Sequence, residues 1–172
     1  MIRDNNSNLE PKSALFPPLS YILTSEKLSF VDELVREKML PCGRNLYHTA
    51  QLSFGIAFDA VSGNYVAPLG LVIDVDSATI DNTNIANLLL RLFSENEAAY
   101  WDAIVRISGR YVIIYGNSYN KESWIIGDCF GSLKITFCKL HDAVSSNIFL
   151  INQFFEGGVR NYSPLFKDQR KS

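Results

Sequence analysis

The chain has 172 residues, 47% of them hydrophobic and 20% charged, with a formal net charge of −2. That is the length of one domain, long enough to bury a core without a disulfide or metal staple. The composition excludes wholesale disorder, collagen-like repeats and a simple coiled coil.

The near-zero charge gives no electrostatic case for nucleic acid or for an anionic membrane. No apolar run approaches the roughly eighteen residues that cross a bilayer. The three cysteines, Cys42, Cys129 and Cys138, form no CxxC pair, the pattern of a reducing compartment. Met1 to Asn8 is polar and has no apolar core, so it does not read as a secretory signal. A cytoplasmic protein that engages neither nucleic acid nor membrane is expected.

Residues 1–13 are rich in Asn, Ser and charge and read as a disordered N-terminal tail. A domain is expected over 14–158, followed by a basic C-terminal tail over 159–172. Pro17-Pro18 stiffens the start of the domain. Leu19 to Thr24 is a strand by its apolar, β-prone residues. Ser29 and Asp32 have capping-box spacing, and Val31, Leu34, Val35 and Met39 recur at helical spacing, so a helix is expected over 29–39. Pro41-Cys42-Gly43 ends it.

Leu52 to Phe58 alternates as a strand, with Leu52, Phe54, Ile56 and Phe58 on one face. Ser62-Gly63-Asn64 is turn chemistry. Tyr65 to Val75 supplies strand material interrupted by Pro68 and Gly70. Ile85, Leu88, Leu89, Leu92 and Phe93 form the stripe of an amphipathic helix, with Asp81 or Thr83 placed to cap it. A second helical piece carries Tyr100, Trp101, Ile104 and Val105. Tyr111 to Tyr115 is a continuous apolar strand, and Trp124 to Gly127 returns. Leu133, Ile135 and Phe137 alternate with polar residues as a further strand. Ser145 or Ser146 is placed to cap a last helix containing Ile148, Phe149, Ile151 and Phe155, ended by Gly157-Gly158. Runs of strands separated by helices indicate an α+β fold with mostly antiparallel sheet.

Four features come in order in the C-terminal half: Ile107-Ser108-Gly109 before an apolar strand, Asp128-Cys129-Phe130-Gly131 after a returning strand, an apolar-aromatic strand, and Ser145-Ser146 before a helix. From about Asn84 to Phe155 the chain resembles the N-terminal, glutaminase-type domain of asparagine synthetases and asparagine-synthetase-like proteins, the class II glutamine amidotransferases. The resemblance implies an N-terminal-nucleophile (Ntn) hydrolase-like fold: a four-layer α/β/β/α sandwich with two antiparallel sheets. Ser108, Gly109, Asp128 and Gly131 are its frame motif. Asp128 is suited to accept backbone N–H bonds in a turn, and Gly131 to a positive φ.

The chemistry that the family implies is not matched. Its nucleophile is a cysteine at the mature N-terminus, whose own α-amino group moves the proton, and a nucleophile needs such a base beside it. Here Met1 is followed by Ile2, and Phe16, Pro17 and Pro18 precede the first strand. The family's Asn-Gly-Glu stretch falls nearest Val72-Ile73-Asp74-Val75-Asp76, where a carboxylate would oppose a developing oxyanion. The aspartate that grips the substrate's amino group falls near Asp81. Cys42-Gly43 resembles the family's opening dipeptide, and processing at Cys42 would expose a nucleophile. The following Arg44-Asn45-Leu46-Tyr47-His48, however, do not read as the apolar strand required there.

Cys42, His48 and Asp59 have the residue types of a triad, but triads are recognised by geometry. No His or Cys pair has zinc-ligand spacing. Asp74, Asp76 and Asp81 lack the Gly-punctuated spacing of a calcium loop. No cofactor or metal is expected.

The reading is a catalytically inactive glutaminase-like domain with no catalytic residue, Cys42 being the alternative. A separate ATP-dependent synthetase-like protein is the implied partner, since no Ser-Gly-Gly-rich pyrophosphate loop occurs in the sequence. Two other readings stand beside it: an active amidohydrolase exposed by processing at Cys42, and an unrelated small α+β binding module.

Overall fold

The computed structural model describes residues 16–29 and 33–155. The two expected tails, the Gly157-Gly158 stop and positions 30–32 of the first expected helix lie outside the described residues. The chain runs β1 (Tyr21–Thr24), β2 (Val35–Met39), β3 (Asn45–Thr49), β4 (Ala57–Phe58), β5 (Asn64–Asp74), α1 (Asn82–Glu95) and α2 (Glu97–Ile104). It continues through β6 (Ile107–Asn117), β7 (Glu122–Gly127), β8 (Thr136–Cys138), β9 (Ala143–Ser145) and α3 (Ile148–Phe154).

The strands form two sheets, both antiparallel. Sheet 1 has the order β2-β3-β1-β9-β8 and sheet 2 the order β4-β5-β6-β7. This is the expected α+β architecture. Alternation along the strands separates three hydrophobic clusters. Tyr21, Leu23 and Leu46 of sheet 1 share one cluster with Tyr65, Ala67, Leu69, Val112 and Ile114 of sheet 2. The intervening residues Val66, Tyr111, Ile113 and Tyr115 of sheet 2 pack with Ile85, Leu89 and Tyr100 of α1 and α2. On sheet 1, Ile22 and Tyr47 pack with Leu150 and Ile151 of α3.

The local signals at α1 and β6 are those expected. Asp81 caps α1, its carboxylate accepting from the Thr83 and Asn84 N–H groups at 2.8 and 3.1 Å. Asn96 closes α1 and caps α2 through Ala99 N–H. β5 is one strand rather than an interrupted one. Its register with β6 runs unbroken from Asn64↔Asn117 to Asp74↔Ile107, with Pro68 opposite Ile113.

The strand expected through Leu133, Ile135 and Phe137 is confined to β8, with Leu133 and Ile135 in the loop before it. Four further local expectations are corrected. The segment read as a helix over 29–39 is a turn and then the edge strand β2 where it is described. Leu34 and Met39, half of the apparent helical stripe, are exposed. The Leu40–Arg44 turn folds β2 back onto β3, pairing Val35↔Thr49 through Met39↔Asn45. The charged run Arg36-Glu37-Lys38 suits a sheet edge.

Second, the segment after Cys42 does form a strand. β3 lies between β2 and β1, and Leu46, Tyr47, His48 and Thr49 are all buried. Third, Leu52 to Phe58 is mostly irregular, with an isolated bridge at Phe54↔Leu69 before β4. There Gly55 passes under the start of α1, where a Cβ would lie 2.3 Å from the Asn82 carbonyl carbon. Fourth, Asn147 rather than Ser145 or Ser146 caps α3, accepting from Phe149 N–H at 2.9 Å. The two serines tie β9 to β1 instead: the Ser145 hydroxyl donates to the Tyr21 carbonyl at 2.9 Å and the Ser146 hydroxyl accepts from Tyr21 N–H at 2.9 Å.

Candidate functional site

Ser108 and Gly109 lie near the start of β6, opposite Ile73 and Val72 of β5. Gly109 has φ +121°, and a Cβ there would meet the Leu71 carbonyl oxygen at 2.1 Å. The position admits glycine on both counts. Asp128 follows β7 and is buried. Its carboxylate accepts from Tyr111 N–H at 3.3 Å, Phe130 N–H at 3.0 Å, and both the N–H and the hydroxyl of Ser132 at 3.1 Å. Burial alone would push this carboxyl up. The Ser132 and Phe130 N–H groups, the Ser132 hydroxyl and Tyr111 N–H outweigh it and hold the group below the usual carboxylate range. Gly131 closes the turn at φ +61°, its N–H donating to the Asp128 carbonyl at 2.9 Å. Asp128 and Gly131 thus fasten β6 to the end of β7 and the following loop, and the Asp128 oxygens are committed to that task, whereas Ser108 and Gly109 face β5.

Cys42 occupies the β2–β3 turn and is buried. Beside it is Tyr65, fully buried on β5, whose hydroxyl has the Cys42 thiol and Ser123 as its polar neighbours. Burial, and then the neighbouring Cys42 thiol, push the Tyr65 phenol above its usual range. A chain beginning at Cys42 would lack β1, the strand that joins β3 to β9.

The triad residues are not brought together. His48 is buried on β3 with Nδ1 3.0 Å from the Thr49 carbonyl and its ring stacked on Phe54, and burial leads the causes that lower its pKa. Asp59 belongs to the β4–β5 turn and accepts from Val61 N–H and from Ser62. The acidic residues are likewise dispersed in turn and cap roles. Asp74 accepts from the Ser77 hydroxyl, Asp76 pairs with Arg106 at 2.9 Å, and Asp81 caps α1. Among the described residues no three His, Cys, Asp or Glu side chains gather closely enough to hold a metal ion. No helix among them is long and apolar enough to cross a membrane.

Two clefts open on the surface, and the sequence pointed to neither as a whole. The first, of about 640 Å³, runs between the edge strands β7 and β8. Trp124, Ile125, Ile126, Phe137 and Val144 give it an apolar wall. Trp124 stacks on Tyr115 with ring centroids 5.7 Å apart. At its polar end Arg44 forks onto Asp142, with Nη2 2.7 Å from Oδ2 and Nη1 donating to the carbonyl at 3.0 Å.

The second cleft, of about 450 Å³, lies beside the residues that lead into β1. Pro17 to Ser20, Arg110 of β6, Ser132 to Lys134, Thr136 and the start of α3 enclose it. Of these residues the sequence assigns Ser146 a role as a helix cap and names others only as parts of expected elements. The Ser20 hydroxyl, which precedes β1, donates to the Pro18 carbonyl at 3.4 Å. Neither cleft contains a histidine.

No family model matches this chain, and no curated protein or solved structure matches it.

Proposed function

We propose that this chain is a catalytically empty relative of the class II glutaminase domain, serving as a binding or scaffold partner of a separate synthetase-like biosynthetic protein. The observation that carries the reading is a pairing of presence and absence around β1. Two antiparallel sheets stack between α3 on one side and α1 with α2 on the other, with the Asp128–Gly131 turn fastening β6 to β7. That order supports an Ntn-hydrolase-like four-layer sandwich.

The residues leading into β1 are Phe16-Pro17-Pro18-Leu19-Ser20, which include no thiol. Their one hydroxyl, on Ser20, makes no hydrogen bond to a histidine, lysine or carboxylate among the described residues. Acyl transfer needs a nucleophile activated by an adjacent base, so this arrangement supports binding rather than amide hydrolysis.

The processing alternative gains from β3, because Cys42-Gly43 does lead into a strand. It loses more than it gains. Cleavage before Cys42 removes β1 from the middle of sheet 1 and opens the β1–β3 and β1–β9 pairings.

Ammonia release from glutamine, measured together with the intact mass of the purified protein, tests the reading. An uncleaved chain that releases no ammonia, and that co-elutes with an asparagine-synthetase-type ATP domain in size-exclusion chromatography, is the expected outcome. A product beginning at Cys42 that releases ammonia and loses that activity on Cys42→Ala would overturn it. Failure to co-elute would sink the scaffold role.

A further inference from the structure

The second cleft has a lining that is unbalanced in charge. Arg110 and Lys134 reach it from β6 and from the loop before β8, and no Asp or Glu lines it. Both cations are exposed, and neither forms an ion pair among the described residues. In the first cleft, by contrast, Arg44 is paired with Asp142 within the wall itself, which leaves Lys139 as the cation there without an ion pair among the described residues. The carboxylate nearest the second cleft through a hydrogen bond is Asp128, bound to the lining residue Ser132. It is turned into the fold and occupied by three N–H groups and a hydroxyl.

Three of the five uncharged polar side chains of the cleft can donate into it, while the Ser20 and Ser132 hydroxyls give their protons to the Pro18 carbonyl and to Asp128. The Ser146 hydroxyl accepts from Tyr21 N–H, which leaves its own proton free. Asn147 accepts through Oδ1 from Phe149 N–H, which leaves its amide NH₂ free to donate. Thr136 adds a third side-chain donor from β8. Beside them Ile148 and the exposed Phe149 offer apolar surface.

We propose that this cleft binds a small organic oxyanion, a carboxylate or a phosphoryl group held between Arg110 and Lys134 with its carbon skeleton against Ile148 and Phe149. A planar guanidinium and an ammonium facing one cavity with no carboxylate between them present donors that suit either oxyanion. A volume of about 450 Å³ is within the range of small-molecule sites. The inference rests on the cleft alone and stands or falls apart from the glutaminase-like reading.

The test is isothermal titration of the full chain at low ionic strength, with citrate in one series and inorganic phosphate in the other. Saturable binding of at least one probe is expected. Arg110→Gln combined with Lys134→Gln should weaken it by at least about 10-fold, since both charged donors to the oxyanion are removed. Arg91→Gln, which removes an exposed charge on α1 outside the cleft, should leave it within about twofold if only net charge changes. Lys134→Arg should retain it. Citrate binding without phosphate binding would identify a carboxylate site, and the reverse a phosphoryl site. No saturable binding of either probe, or equal binding by the double variant and the wild type, would overturn the proposal. Both cations are exposed, so the double variant should fold, and an unchanged unfolding midpoint checks this.

Discussion

In sheet 2 the central strands β5 and β6 are eleven residues each and pair along their whole length, whereas no strand of sheet 1 exceeds five residues. Sheet 2 is covered on its outer face by α1 and α2 and on its inner face by sheet 1. The outer face of sheet 1 is covered by the seven-residue α3. The fastenings differ as well. At the end of β7 a buried carboxylate is held by four donors, while in sheet 1 the start of β3 is tied to the turn before β9 by a partly exposed ion pair. The contrast suggests a division of labour in which sheet 2 is the stiff layer and sheet 1 the one able to adjust. Both clefts take part of their lining from sheet 1 and its flanking segments.

The largest expected effect tests that contrast directly. Ile113 and Leu150 are both fully buried, one on β6 against α1 and α2, the other on α3 against sheet 1. Truncating each to Ala leaves a cavity whose cost depends on how far its surroundings collapse. Ile113→Ala should cost about 4 kcal/mol and Leu150→Ala about 2 kcal/mol, because a short helix can move into the space and a paired central strand cannot. Urea unfolding measures both. Equal losses would mean that the two layers are equally rigid, and the division would fail.

Asp128 comes next. Asp128→Ala leaves the Tyr111, Phe130 and Ser132 N–H groups without their acceptor and should cost about 2–3 kcal/mol. The pH dependence has a definite sign. The folded-state pKa lies below the ordinary carboxylate value, so the stabilisation is complete above the unfolded pKa of about 4 and is lost as pH falls through the lower folded value. Wild type should therefore lose stability faster than Asp128→Asn as pH is lowered below about 4. Parallel curves for the two proteins would remove Asp128 from its role as the fastening of sheet 2.

The same contrast governs what could be read in the sequence. The long strands of sheet 2 carry their own signals: the apolar run Tyr111 to Tyr115, the stripe of α1, and Asp128 with Gly131 at a turn. Each is local in the chain, and each is where it was expected. Sheet 1 is specified by pairing at a distance. β3 offers Asn45-Leu46-Tyr47-His48-Thr49, with two apolar residues, and becomes a buried strand because β2 and β1 flank it. β2 has helical spacing that the hairpin turn at Leu40–Arg44 overrides. Both clefts were hidden for a related reason. The second draws its lining from around residues 17–20, 110, 132–136 and 146–149, and no local pattern announces that these meet. That Arg110 and Lys134 share a cavity could be learned only from the fold.

The smallest effect belongs to the ion pair between the starts of β3 and β9. Arg44 is 22% exposed and Asp142 63% exposed, so water competes for both charges even though the guanidinium also donates to the Asp142 carbonyl. An exposed pair of this kind contributes roughly 0.5–1 kcal/mol and is screened by salt. Arg44→Gln should therefore cost less than about 1 kcal/mol in dilute buffer and almost nothing in about 1 M salt. The Asp128→Ala loss should persist under both conditions, because its bonds run to backbone N–H groups and a hydroxyl that are buried or partly buried, with no partner charge for salt to screen. Asp142 has φ +46°, a conformation in which glycine is free of the strain that a side chain carries. Asp142→Gly should accordingly be close to neutral, the relieved backbone offsetting the lost pair. A loss of about 2 kcal/mol or more in Arg44→Gln, unaffected by salt, would show instead that sheet 1 is held here as firmly as the end of β7. The layer flanking both clefts would then be as stiff as sheet 2.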